Sequence, residues 1–312
     1  MSIDDAPLDD APFDVVTVGE ALVAMTPGAG DRLAGADQVT LRTAGAEVNV
    51  ARTLAHLGNR VAWVGALGAD PLGDRIVADL SASGVDVSYV TRDVSAPTGL
   101  YLTDTDPSRA TAMYYYRRNS AASKMDASVI RDLPRRRVLH LTGITAAISD
   151  GGLQLARAAV SARCDDSLVS FDVNFRPALW QGRDATYVLA ELANAADLVF
   201  VGLDEAGALW GTGTLESIRA LLPAPTAVIV KDGDVGATAM LSSGESLFEA
   251  APRIEVIEPV GAGDAFAAGY LHGLIAGSSE RERLQFGHAA AGRALVTTDD
   301  VGSHPPGGVS GR

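Results

Sequence analysis

The chain has a single cysteine, Cys164, in 312 residues. One thiol excludes an internal disulfide and any cysteine-based zinc site. Its place just ahead of an apolar run suits a small packing or surface residue better than a nucleophile. Lysine is nearly absent, with only Lys124 and Lys231, so a lysine at a strand end stands out. The net charge of −14 leaves no basic face for nucleic acid or an anionic membrane. Phosphate ligands stay open, because backbone donors and a few arginines suffice to hold them. No apolar run reaches the length that spans a bilayer. Met1 to Phe13 is acidic, with no basic stretch ahead of an apolar one, so no signal peptide is expected and the expected location is cytoplasmic. The five histidines (56, 140, 272, 288, 304) lack metal-ligand spacing, and His140 and His272, in apolar runs, read as core residues. Two nucleotide fingerprints are missing as well. The first strand–helix turn reads Gly19-Glu20-Ala21-Leu22-Val23-Ala24, which is not a dinucleotide-binding Gly-x-Gly-x-x-Gly, and no P-loop occurs.

What the chain does have is Glu258-Pro259-Val260-Gly261-Ala262-Gly263-Asp264, followed by an apolar stretch of helical length. Small residues running into a carboxylate and then a helix describe a loop that becomes a buried helix. Its first turn offers unpaired N–H groups and the positive end of the helix dipole, a ready anion site at Gly261, Ala262 and Gly263. Asp264 beside that site is placed as a general base toward an attacking hydroxyl, so the pair points to phosphoryl transfer to an alcohol. A tight turn with a helix-capping Asp is the plainer alternative.

The rest of the chain gives that motif a frame. Residues 1–12 read as a disordered acidic extension, 13–300 as one α/β unit, and 301–312, rich in Gly, Pro and Ser, as a flexible tail. Phe13 to Val18 is the expected first strand. Ala44-Gly45-Ala46-Glu47-Val48-Asn49 leads into a helix, with Gly45 allowing close backbone approach and Asn49 offering an amide one turn in. Segments of about 36–44 and 86–118 read as a small β-lid. Tyr101 and Tyr114-Tyr115-Tyr116 gather there beside Arg117 and Arg118, although aromatics make up only 5% of the chain. Alternation sends Tyr115 and Arg117 to one face, fit to cover a sugar, and Tyr114 and Tyr116 to the other, fit to meet a partner subunit. From Val138 strands and helices alternate, with strands expected at 138–142, 168–173, 197–201 and 226–231, the mark of a parallel sheet. Ligands of such sheets lie beyond the carboxyl ends of the strands. Asp172-Val173-Asn174-Phe175-Arg176 stands at one such end, its arginine suited to a carboxylate or phosphate. Lys231-Asp232-Gly233-Asp234-Val235-Gly236 stands at another, as a nucleotide-side loop or a hairpin turn.

Together these stretches resemble the ribokinase-like (PfkB-type) carbohydrate kinases over Phe13 to about Thr298, and within them the 2-keto-3-deoxygluconate kinases most of all. The likeness rests on the two Gly-rich motifs and on Gly99-Leu100-Tyr101-Leu102, Tyr115-Tyr116-Arg117, Leu141-Thr142-Gly143-Ile144, Asp172 to Arg176 and Leu179-Trp180. The resemblance implies a three-layer α/β/α sandwich with a mainly parallel central sheet, a β-lid, and transfer of the γ-phosphate of ATP, with Mg²⁺, to a sugar hydroxyl. Carried over by motif, Asp264 is the base and Gly261, Ala262 and Gly263 form the anion hole. Gly45, Asn49, Tyr101, Tyr115, Arg117 and Arg176 lie on the substrate side. Lys231, Gly233, Gly236 and Gly263 lie by the nucleotide, and Glu205 organises Mg²⁺ through water. Two positions depart from the pattern: Gly202 replaces an Asn and Glu258 replaces an Asp. Other members of the family act on fructose, ribose or sugar phosphates, and a non-catalytic sugar- or nucleotide-binding protein is the reading from another class. A homo-oligomer, formed through the lid, is expected.

Overall fold

A computed structural model describes residues 12–28, 31–104, 112–162, 167–257 and 260–296. The acidic extension before residue 12, the tail, Cys164, His304, Glu258 and the expected break at 105–108 lie outside the described residues.

Thirteen strands form among the described residues. They are β1 (Phe13–Val18), β2 (Leu22–Pro27), β3 (Val39–Ala44), β4 (Val61–Gly68), β5 (Val90–Asp93), β6 (Gly99–Asp104), β7 (Ala112–Tyr116), β8 (Arg136–Thr142), β9 (Leu168–Asp172), β10 (Leu198–Gly202), β11 (Ala227–Asp232), β12 (Gly236–Leu241) and β13 (Ser246–Ala250). Nine of them make one sheet in the order β13-β12-β11-β10-β9-β8-β1-β4-β5. All neighbours from β11 to β5 run parallel, and β12 is antiparallel to both β11 and β13. The central strands read as continuous apolar runs because both faces are covered, and β4 is buried at every position.

The helices are α1 (Ala46–His56), α2 (Pro71–Ala82), α3 (Gly143–Ala147), α4 (Asp150–Ser161), α5 (Ala185–Ala195), α6 (Leu203–Trp210), α7 (Leu215–Leu221), α8 (Ala262–Ile275) and α9 (Glu280–Leu295). Apolar residues of α3 to α7 pack on one face of the sheet, and those of α1, α2, α8 and α9 on the other, which gives three layers. Local chemistry sets the ends. Asp70 caps α2 by accepting from the Gly73 amide at 2.8 Å, with Pro71 at the first helical position. Helix α8 is apolar nearly all round because it lies between the sheet, α1 and α9. A Cβ on Gly269 would come within 2.2 Å of the Phe286 carbonyl oxygen, so glycine there sets the α8–α9 spacing. No helix among the described residues is long and apolar enough to cross a membrane.

The lid differs from its expected span. Its sheet has the order β3-β2-β6-β7, with β2 parallel to β6 and the outer pairs antiparallel. Leu22–Pro27, unassigned in the sequence reading, is a central lid strand. Val90–Asp93, expected in the lid, instead pairs with Gly65–Gly68 at the edge of the large sheet. Arg92 explains the choice: it donates to the Gly68 carbonyl at 3.1 Å and to Asp74 at 2.6 Å, tying β5 to the corner between β4 and α2.

Candidate active site

The carboxyl ends of β8, β9, β10 and β11, the start of α8 and one face of the lid enclose a cleft of about 580 Å³. That is where a parallel sheet with helices on both faces is expected to hold its ligand. Glycine 261, with φ 80°, turns the chain into α8. The first intrahelical hydrogen bond runs from the Ala265 amide to the Gly261 carbonyl at 2.8 Å. The amides of Ala262, Gly263 and Asp264 precede that bond, so they are the unpaired N–H groups at the positive end of the helix dipole. Gly261, Gly263 and Asp264 line the cleft; Ala262 begins the helix but is not part of its wall.

Asp264 is held from both sides. Asn49 Nδ2, on α1, donates to Oδ2 at 2.9 Å, and Asn174 Nδ2, just past β9, donates to Oδ1 at 3.3 Å. Burial raises the Asp264 carboxyl to about 7; the Asn49 hydrogen bond opposes this, the Asp172 charge adds to it, and Lys231 and Arg176 pull it back. A carboxylate that titrates near neutrality accepts a proton readily at working pH. Asn174 was quoted in a motif but not singled out as a site residue. Its φ of 39° is left-handed, a conformation Asn tolerates, and it turns the amide toward α8. An Asn placed two residues after a strand-end Asp is the sequence signal that pointed to it.

Asn49 therefore faces the carboxylate of Asp264, whatever else it touches. Its helix is anchored by Glu47, which is fully buried. Glu47 Oε1 accepts from the Thr142 amide at 3.0 Å and from the Thr142 and Thr145 hydroxyls at 2.8 Å each. Burial raises its pKa against the pull of those hydrogen bonds. Gly19 makes room for this carboxyl, since a Cβ there would lie 2.2 Å from Glu47 Cδ. Gly45 also lines the cleft, and a Cβ there would lie 2.3 Å from the Glu20 carbonyl oxygen.

The lid supplies Tyr101, Met113 and Tyr115 to the wall, with Arg117 just beyond β7. Tyr101 and Tyr115 are directly paired across β6 and β7, with ring centroids 5.3 Å apart, and the Arg117 guanidinium lies 5.3 Å from the Tyr115 centroid. Tyr114 and Tyr116 are not in the wall and are 50% and 62% exposed, as alternation requires. Arg117 pairs with buried Glu20. Arg176 lines the cleft with no carboxylate in ion-pair contact among the described residues; its guanidinium bonds the Phe175 carbonyl at 3.3 Å.

Lys231 sits at the centre of the site, not at its margin. Its Nζ is 2.8 Å from Asp172 Oδ2 and would be 3.4 Å from a Cβ on Gly263. Burial works against its charge, but Asp172 and then Glu205 raise its pKa above the ordinary lysine range. Gly233 and Gly236 belong to the β11–β12 hairpin, where Asp232 pairs with Gly236, and neither lines the cleft. Gly236 makes room for Phe248 and the Glu249 carbonyl of the next strand, so its position is explained by sheet packing. Glu205 lines the cleft, but its oxygens are already engaged: Oε1 takes the Phe175 amide and Oε2 takes the Gly202 amide at 2.9 Å. It thus caps α6 and fixes the loop after β9. Burial, then the Asp172 charge, raises its pKa. A Cβ on Gly202 would meet Asp204 Oδ1 at 2.8 Å, so Asp204 takes space that a side chain at 202 would need.

Residues 13–303 match the model of the pfkB family carbohydrate kinases. The 2-dehydro-3-deoxygluconokinase of Bacillus subtilis (strain 168) is 33% identical over 303 residues, which cover 94% of this chain and 93% of that protein. The crystal structure of a PfkB protein from Polaromonas sp. JS666 superposes with a TM-score of 0.81 at 34% identity, covering 91% of this chain and 96% of that one. A putative ribokinase II from E. coli, solved in complex with ATP and Mg²⁺, superposes with the same TM-score at 22% identity, covering 92% and 94%. The three-layer architecture with its small second sheet is therefore ribokinase-like.

Proposed function

The chain belongs to the PfkB family of carbohydrate kinases, and from that premise we propose that it phosphorylates a small sugar acid, 2-keto-3-deoxygluconate (2-dehydro-3-deoxygluconate). The observation that carries the reading is Asp264 at the head of α8, beside unpaired backbone amides and under a cleft lined by Arg176, which forms no ion pair among the described residues. Phosphoryl transfer asks a protein mainly for positioning and for neutralisation of charge on the migrating group. In this reading the amides of residues 262–264 hold the phosphoryl oxygens, and Asp264 collects the proton of the attacking hydroxyl. Asn49 and Asn174 keep the carboxylate aimed, and Arg176 takes the carboxylate of the sugar acid. The lid tyrosines and Arg117 cover the sugar and exclude water.

ATP supplies the phosphoryl group, and Mg²⁺ supplies charge neutralisation on its phosphates. The chain's own donors fit a hydrated ion. Asp204 and Glu205 both line the cleft, no larger group of metal-ligating side chains forms among the described residues, and Mg²⁺ normally keeps several waters with one or two carboxylates nearby. With both Glu205 oxygens on backbone amides, its contact to the ion would pass through water. The cytoplasm is the proposed location. The tyrosines on the outer lid face, Tyr114 and Tyr116, support pairing of two lids in a dimer.

The test is an ADP-release screen with 2-keto-3-deoxygluconate, its galactonate epimer, gluconate, fructose and ribose. The keto-deoxy acid is expected to give the highest kcat/KM, and Asp264→Asn to lower kcat about 10²–10⁴-fold with little change in KM. A neutral sugar preferred over every acid would move the assignment to another member of the family. A near-normal rate for Asp264→Asn would remove the base.

A further inference from the structure

Glu20 has no part in the reading above, yet its carboxylate is only 2% exposed and stands in the wall of the cleft. It lies where every described connection between lid and core meets. Glu20 itself is in the turn from β1 to β2. Gly45, where β3 hands over to α1, packs on the Glu20 carbonyl oxygen. Gly99, the entry to β6, faces Glu20 Oε1, which would lie 3.3 Å from a Cβ at that position. Arg117, the exit from β7, donates Nη2 to Glu20 Oε2. The charged groups that face this carboxylate are Arg117 from the lid and Glu47 from α1. Among the described residues Arg117 has one ion-pair partner, and that partner is rooted in the core.

We propose that Glu20 is a positioning residue: it fixes the Arg117 guanidinium and thereby seats the lid over the sugar, without touching the sugar itself. The line of contact runs from Glu20 to Arg117, over the Tyr115 ring and on to Tyr101, so the lid wall is built outward from one buried charge pair. Truncating one member of a buried pair releases the other from its place and leaves its charge uncompensated. Burial also lifts the Glu20 carboxyl to about 7, with Arg117 opposing, so the pair is only just held as ions near neutrality.

This inference rests on the sugar-kinase reading for the sugar side of the cleft, so its test uses whichever sugar of the screening panel the wild-type chain binds most tightly. Sugar and ATP affinities are measured by calorimetry, and kcat and KM by ADP release, for Glu20→Gln, Glu20→Ala, Arg117→Ala and the double variant Glu20→Ala/Arg117→Ala. Glu20→Gln keeps the shape of the side chain and guards against loss of folding. The expected result is a rise of about tenfold in sugar Kd and KM for both Glu20 variants, with ATP Kd and kcat within about threefold. The double variant should be no weaker than Arg117→Ala alone, because Glu20 acts through Arg117. Amide exchange of β6 should quicken in Glu20→Gln while that of β9 is unchanged, a readout that needs no sugar. Additive losses in the double variant, equal losses for sugar and ATP, or unchanged exchange in β6 would each overturn the proposal. A wrong substrate assignment would show in the panel and leave this comparison intact.

Discussion

The two asparagines on Asp264 allow a quantitative test of how the base is tuned. Each donates to one carboxylate oxygen, Asn49 at 2.9 Å and Asn174 at 3.3 Å. A hydrogen bond to a charged group contributes about 1.5–3 kcal/mol, and one pKa unit corresponds to about 1.36 kcal/mol. Both bonds favour the ionised carboxylate, so removing either must raise the pKa from its position at about 7. Asn49→Ala, losing the shorter bond, should raise it by about one to two units, and the longer bond of Asn174 by about one. Asn174→Gly is the better variant there, since glycine accepts the φ of 39° that would strain alanine. The assay is kcat/KM against pH from 6 to 9.5 by ADP release. Wild type should rise with pH and level above about 7, because only the ionised carboxylate takes the hydroxyl proton. In Asn49→Ala the rising limb should move to higher pH, so the loss at pH 7 is about 5- to 50-fold and shrinks toward pH 9. A loss of the same size at every pH would refute the reasoning and assign Asn49 to the sugar alone.

Asp264→Asn should also change stability. The folded carboxyl titrates at about 7 against an ordinary value of 3.8, so the native state holds the proton more tightly across that window. Its contribution is fully present below the lower value and lost as pH rises through the upper one. The variant should therefore melt about 2–4 °C above wild type at pH 8 and about equal to it at pH 4, measured by calorimetry without ligands; a lower melting point at pH 8 would contradict the burial account. Arg176→Ala should weaken an acidic sugar by about 1.5–3 kcal/mol and spare ATP, read as the two KM values, and equal losses for both would remove the carboxylate assignment. Glu47→Gln should keep folding stability within about 1 kcal/mol, whereas Glu47→Ala should cost about 2–4 kcal/mol by stranding the Thr142 and Thr145 donors in a cavity; urea titration distinguishes them, and equal loss in both would mean that the buried group works as a charge.

The parts of this protein that were legible in the sequence are those fixed by neighbours along the chain. Gly261, Ala262 and Gly263 running into Asp264 had to be a helix start, and the apolar runs at β8 to β11 had to be buried parallel strands. The parts that were not legible are pairings across long separations. Asn49 meets Asp264 over 215 residues, and Glu20 meets Arg117 over 97. No local preference marks either pair, and an Asn near a helix start or a Glu after a strand has an adequate local explanation. The loop of Lys231 to Gly236 shows the same ambiguity from the other side. Its glycines satisfy a hairpin, while its lysine, pointing back over the strand end, reaches Asp172 at the centre of the cleft.

Glu205 and Gly202 carry the point one step further. The sequence pattern set a missing Asn at 202 against a retained Glu at 205, as if one of two polar helpers were lost. In the fold, the Gly202 amide is itself the partner of Glu205, and the space beside it is filled by Asp204. The backbone supplies the donor that holds the carboxylate, and Asp204 Oδ1, which accepts from the Glu205 amide at 2.8 Å, fills the space where a side chain at 202 would stand. The place that the motif leaves to a side chain is thus filled by its neighbours. The acidic wall facing Lys231 keeps its carboxylates with glycine at 202.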